Sequence, residues 1–255
     1  MNESQMEQRY KKAFAVAELA YDSIKEALFQ LETMKPLISD PRIIEPLNKT
    51  YAAHTLGLLQ WTLFGAAAIN LCKAVYDADR RSGGLAVLFH MLEDDNLLAA
   101  IRAKRTAPVA KYGRPLGIDP HDWAAIRKAY EEEDRAAAEA EFDATYPELR
   151  SSFEALQGNE AGERLRQVRN KVLAHDSLRF CDGSYSAALP ENFDLKWGDA
   201  EAFAKEASTL ATRVFQVLFG HHPAIDEVQE IYREYSEDFW RCFRPDLPVS
   251  AGSDN

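Results

Sequence analysis

Arg169 and His175 are the side chains best placed by type and spacing to act on a phosphodiester. They lie in the segment Arg164-Leu-Arg-Gln-Val-Arg-Asn-Lys-Val-Leu-Ala-His-Asp-Ser-Leu-Arg179, which holds five basic residues and one acid. RNA cleavage without a metal needs a base for the 2′-hydroxyl proton, an acid for the departing 5′-oxygen, and a cation for the charge on the crowded phosphorus. Histidine serves either proton transfer near neutral pH. Arginine offers an always-charged planar fork matched to phosphate oxygens. Asn170, directly after the arginine, can hydrogen-bond a phosphate or orient the histidine, while Lys171, Arg166 and Arg179 are placed to steer an RNA backbone. A structural alternative stands beside this one. Leu165, Val168 and Val172 form an apolar stripe whose next step is His175, so the histidine could equally be a core residue bonded to a neighbouring helix. On one straight helix Arg169 and His175 would sit about 120° apart around the axis and about 9 Å apart along it. A catalytic pair therefore requires the helix to end near His175, or a second copy of the chain to bring its own motif close across a two-fold axis.

Other constellations are weaker. Arg114 and His121 have similar spacing, but Pro115, Gly117 and Pro120 rule out one continuous helix between them. His221-His222 lies near Asp226 and Glu230 without a convincing further ligand, which favours a solvated helix cap over a metal site. Nothing calls for a cofactor, since no phosphate-binding Gly-rich loop, nucleophile elbow or His-Glu-x-x-His is present.

The surrounding chain has 255 residues, a net charge of -11 and 46 % hydrophobic residues. That composition fits an ordinary globular protein with a large core and argues against indiscriminate coating of nucleic acid. The charge is unevenly spread, with +5 on residues 101–114 and +4 on residues 164–180. The first of these includes Arg102, Lys104 and Arg105, and reads either as a phosphate-contacting loop, with Arg105 a candidate RNA contact, or as a solvated connection. Cys72, Cys181 and Cys242 fit no zinc or redox spacing and suit free thiols in a cytoplasmic protein. Residues 50–72 carry no charge, but His54, Gln60 and Asn70 interrupt them, so a buried central helix is expected rather than a membrane span.

The elements expected to position the motif are helical nearly throughout. Tyr10, Phe14, Ala17, Tyr21, Ile24, Leu28 and Leu31 lay one stripe along a first helix that ends around Pro36 and Ser39-Asp40-Pro41. Pro46 suits the start of a second long helix to about Tyr76. Helical segments follow over residues 85–101, then a long loop at about 102–118. Asp119-Pro120 caps a helix to about Ala144, and Thr145 with Glu148 has the spacing to open a short one. Glu160 to His175 is the motif helix. Asp199 can cap the next, carrying Phe203, Ala207, Leu210, Val214 and Leu218. The last begins at Pro223 and would bury Ile225, Val228, Tyr232, Tyr235 and Phe239. No segment alternates as a strand. The expectation is an all-α single domain of about eight helices over residues 1–244, with a flexible tail at 245–255.

Arg169-Asn-Lys-Val-Leu-Ala-His175 resembles the Arg-x(4–6)-His motif of HEPN domains, all-helical ribonucleases of prokaryotic defence and toxin–antitoxin systems. Ile69-Asn-Leu-Cys-Lys-Ala-Val-Tyr-Asp-Ala-Asp-Arg-Arg-Ser82 resembles the second-helix ending and turn of the AbiU abortive-infection branch. The resemblance spans roughly residues 5–240. It implies a homodimer whose two motifs meet in one cleft and cut RNA without metal, with Arg169 and His175 catalytic and Asn170 supporting. A non-catalytic HEPN bundle that binds a nucleotide or a protein is the alternative. An antitoxin or other defence-system partner is also implied. Toxins of this kind that a nucleotidyltransferase silences carry a tyrosine two places after the histidine; Ser177 stands there in this chain.

Overall fold

The computed structural model describes residues 3–47, 50–79, 81–107, 119–173, 178–181, 184–187 and 194–243. Among them are nine α-helices: α1 Glu3–Ser39, α2 Pro41–Leu47, α3 Ala52–Tyr76, α4 Leu85–Met91, α5 Asp95–Arg105, α6 Pro120–Gln157, α7 Glu160–Val168, α8 Trp197–Val214 and α9 Ile225–Phe243. A π-helical turn, Arg169–Leu173, continues α7, and a second, Phe215–Phe219, continues α8. The fold is all-α, as expected. One departure is a small antiparallel hairpin of β1 Leu178–Cys181 and β2 Ser184–Ala187, with Leu178 opposite Ala187 and Cys181 opposite Ser184. Four residues a strand is too short for alternation to register in the sequence.

The chain divides into two compact units, each assembled from separate stretches. The first comprises Met1–Tyr21, Ala74–Gly158 and Thr209–Pro223. Its core combines Ala13 and Ala17 of α1 with Leu85, Leu88, Leu97 and Ile101 of α4 and α5, Leu149 of α6 and Leu218. Aromatic packing locks it. Phe14 meets Phe219 and Phe215 edge-on at 5.0 and 5.8 Å, and Phe89 stacks on Phe153 at 4.2 Å. Gly220, in the left-handed region at φ 68°, stops the α8 run. Gly83 is required for a different reason: a Cβ there would fall 2.2 Å from Leu19 Cβ.

The second unit comprises Asp22–Lys73, Asn159–Ser208 and Ala224–Asn255. Ile24, Leu28, Leu31 and Leu37 of α1, Leu71 of α3, Leu165 of α7 and Phe203 of α8 fill its core. Pro36 sits inside α1 and has no N–H to offer the Glu32 carbonyl. Ser236 Oγ supplies the missing donor at 3.0 Å, and the Trp240 indole N–H donates to the Thr33 carbonyl at 2.9 Å. These bonds set the rotation of α9. Its buried side carries Ile225, Ser236 and half-buried Tyr232 and Trp240, while Tyr235 and Phe239 face solvent, contrary to the apolar-stripe expectation.

Several local expectations are corrected. Pro46 lies inside the short α2, and α3 starts only at Ala52. Burial in α3 is concentrated in its C-terminal half, through Ala67, Ala68, Leu71 and Cys72. In the N-terminal half Leu56 packs with Leu37 and Ile43, while Leu58 and Leu59, like Tyr51 just before the helix, are exposed. By length and composition α3 could cross a membrane, and 33 % of its most apolar window is buried. Two of its polar residues are tied to α1, with Gln60 Nε2 donating to the Leu37 carbonyl at 2.7 Å and Asn70 Nδ2 to Gln30 Oε1 at 3.3 Å. The α6 helix runs through Thr145, whose hydroxyl donates back to the Glu141 carbonyl at 2.8 Å instead of capping a new helix. Arg102–Arg105 belong to α5 rather than to a loop, and residues 108–118 lie outside the described residues. Asp199 stands in the first turn of α8, not at its cap; its carboxylate reaches back to the Lys196 N–H at 3.1 Å, one half of a capping box. The cap expected at Asp119 is present, its carboxylate accepting from the His121 N–H with Pro120 as first helical residue.

Candidate functional site

The motif segment starts from a well-capped helix. Asn159 Oδ1 accepts from the backbone N–H groups of Ala161 and Gly162 at 2.9 and 3.1 Å, fixing the N-terminus of α7. Leu165 and Val168, fully buried, anchor its apolar face. At Arg169 the backbone changes from α to π spacing, in the very residues that carry the motif. Such turns widen the helix and shift the phase of everything that follows.

The cations of this segment divide into two groups. Arg164 is held by Asp199 at 3.3 Å and Glu160 at 3.7 Å, and Arg166 by Glu163 at 2.8 Å. Both are neutralised where they stand. Arg169, half-buried, is different: its Nη1 donates to Asn170 Oδ1 at 3.0 Å, and it forms no ion pair among the described residues. A neutral amide thus fixes the guanidinium without cancelling its charge. Asn170 and Lys171 are exposed on the same turn.

One neighbour was not anticipated from the sequence as part of this site. The Cys72 thiol of α3 is buried, and burial pushes its pKa up to about 12 against the opposing pull of Arg169 and Arg166. Cys72 and Arg169 thus lie in the same unit, and the charge of Arg169 acts on the Cys72 thiol. Cys72 stands in the Ile69–Ser82 segment, and the sequence alone carries no sign that it feels the charge of Arg169.

The remaining candidates are placed as follows. His175 lies outside the described residues, as does Ser177. Arg179 is on β1. Arg105 belongs to the other unit, where its Nε donates to the Gln216 carbonyl at 3.3 Å at the end of the α8 run. Its neighbours in the basic stretch are engaged too. Arg102 grips Asp143 through Nε and Nη2 at 2.8 and 2.7 Å, which holds that carboxyl below the usual range, and Lys104 pairs with Glu7 over the Tyr10 ring. Among the described residues no three His, Cys, Asp or Glu side chains group as metal ligands. His221 packs edge-on against Phe14 at 5.6 Å.

Compared with known proteins, residues 6–239 match the family HEPN_AbiU2, described as AbiU2. No curated protein and no solved structure matches the chain.

Proposed function

The chain belongs to the AbiU2 family of HEPN proteins, and on that premise we propose that it is a metal-independent endoribonuclease of a prokaryotic defence or toxin–antitoxin system. The observation that carries the reading is the charge balance at the motif: Arg164 and Arg166 are matched by carboxylates, whereas Arg169 is fixed by Asn170 and left cationic. A structural arginine gains from an acid partner. A phosphate-binding one must keep its charge for the substrate.

In the proposed reaction the 2′-oxygen of a ribose attacks the adjacent phosphorus, and the bond to the 5′-oxygen breaks. The products are a 2′,3′-cyclic phosphate and a 5′-hydroxyl end. His175 moves a proton as general base or general acid, and Arg169 stabilises the charge on the phosphoryl oxygens. Two copies related by a two-fold axis would supply two histidines, one for each proton transfer. Lys171 and Arg179 extend the positive charge along the RNA backbone, whereas Arg166, paired with Glu163, contributes hydrogen-bond donors only; Arg105, in the other unit, is not needed for this chemistry. The protein acts in the cytoplasm, and an antitoxin or other defence partner restrains it.

The test is RNA cleavage in excess EDTA by wild type, Arg169→Ala and His175→Ala, with analysis of the new ends. Cleavage to 2′,3′-cyclic phosphates that both variants lose supports the reading. Equal activity in His175→Ala, or none in wild type released from any partner, overturns it in favour of a non-catalytic HEPN module.

A further inference from the structure

We propose that the first unit carries a binding site for a phosphorylated sugar, in a cavity of about 280 Å³ where α5, α6 and the end of the α8 run converge. Arg105, Arg213 and His222 line it together with Glu141, Phe142 and Val217. This site shares no residue with the motif at Arg169–His175, and the inference stands or falls independently of the ribonuclease reading.

Arg105 is the centre of the argument. Most arginines described here are matched to a carboxylate, but Arg105 forms no ion pair among the described residues. Its Nε is taken by the Gln216 carbonyl, which immobilises the side chain and leaves the Nη groups for another acceptor. Gly220 makes room for it: a Cβ there would lie 3.3 Å from Arg105 Cδ. Arg105 is thus packed against the Gly220 backbone, with no carboxylate matching its charge among the described residues. Arg213 is held on the same cavity by Ser152 Oγ at 3.2 Å and Glu148 Oε2 at 3.3 Å, and His222 adds an exposed imidazole.

Arg105, with no carboxylate partner among the described residues, and the His222 imidazole mark this small cavity for an oxyanion, and the planar fork of Arg105 suits a phosphate monoester. Arg213, matched by Glu148, adds N–H groups to the wall but no net charge. Glu141 is the exception in charge and supplies the second half of the specificity. An exposed carboxylate beside a phosphate site repels bare phosphate but accepts hydrogen bonds from the hydroxyls of a sugar. Phe142 and Val217 give the sugar an apolar wall. The cavity has room for a pentose phosphate, free or as the 5′-phosphorylated end of an RNA strand.

Isothermal titration of the full chain with ribose 5-phosphate, ribose and inorganic phosphate tests the proposal. Ribose 5-phosphate should bind, phosphate more weakly, and ribose not at all. Arg105→Gln and His222→Ala should each weaken ribose 5-phosphate binding by about tenfold or more. His222 is exposed, so its variant keeps the test open if Arg105→Gln fails to fold. Glu141→Gln should weaken ribose 5-phosphate yet strengthen inorganic phosphate. A 5′-phosphorylated oligoribonucleotide compared with its 5′-hydroxyl twin separates the sources: preference for the former identifies an RNA end, and equal binding identifies the free sugar phosphate. The proposal is overturned if neither phosphorylated probe binds, or if binding survives unchanged in His222→Ala and Arg105→Gln.

Discussion

Replacing Asn170 distinguishes a charge that must stay uncompensated from a side chain that merely needs to be held. Asn170 Oδ1 lies 3.0 Å from Arg169 Nη1, and Asn170 itself is exposed. Asn170→Asp keeps the shape and strengthens the hydrogen bond, but adds a negative charge beside the guanidinium. A phosphate on the free edge of that guanidinium would sit about 6 Å from the new carboxylate. At effective dielectric constants of about 20 to 80 the repulsion is about 1–3 kcal/mol. That corresponds to roughly a 5- to 150-fold loss of cleavage rate. Asn170→Ala removes the bond and adds no charge, so its loss should be smaller, about tenfold or less. The assay is single-turnover cleavage of an end-labelled RNA in EDTA, with unfolding curves to check that both variants fold. Wild type should exceed Asn170→Ala, which should exceed Asn170→Asp, and added salt should narrow the gap between the two variants. If Asn170→Asp cuts as fast as Asn170→Ala or faster, Arg169 needs only positioning, and the charge argument is refuted.

Gly83→Ala should lower stability by about 2 kcal/mol or more, read from chemical denaturation, because the new Cβ meets Leu19 Cβ at 2.2 Å and Cδ1 at 2.6 Å. Cys72 should resist alkylation in the native protein at pH 8, whereas exposed Cys242 reacts, as peptide mapping by mass would show. Its pKa, about 12 when folded, is above the unfolded value, so the unfolded chain releases this proton first. Its contribution to stability is therefore complete below about pH 8.5 and is lost as the pH rises toward 12, and Cys72→Ala should flatten that part of the profile. Trp240→Phe deletes the indole N–H bonded to the Thr33 carbonyl at 2.9 Å and should cost about 1 kcal/mol in the unfolding free energy.

Local chemistry was the most legible part of this chain. The Asp119-Pro120 start of α6 and the buried series Phe203, Ala207, Leu210, Val214 and Leu218 follow from capping and periodicity alone. The failures arise where a distant partner decides. Thr145 and Glu148 have capping-box spacing, but α6 continues because the Thr145 hydroxyl finds a carbonyl one turn back. The face of α9 was misread by one position because Ser236 and Trp240 answer carbonyls of α1, one of them left free by Pro36, and hydropathy does not record such a need. At the candidate site, Arg169 and Asn170 are singled out by residue type and order, and the family assignment over residues 6–239 agrees with the extent of the resemblance, roughly residues 5–240. Which cations are neutralised was hidden, since the acid that holds Arg164 comes from Asp199, 35 positions away.

The π-helical turn at Arg169–Leu173 also bears on changes of chain length. A π turn holds one residue more than an α turn, so deleting a residue there closes it to plain helix, and inserting one restores it. The buried anchors Leu165 and Val168 lie upstream and are undisturbed by either event. A one-residue deletion within Arg169–Leu173 should therefore leave α7 in place, because the anchors of that helix lie before the turn.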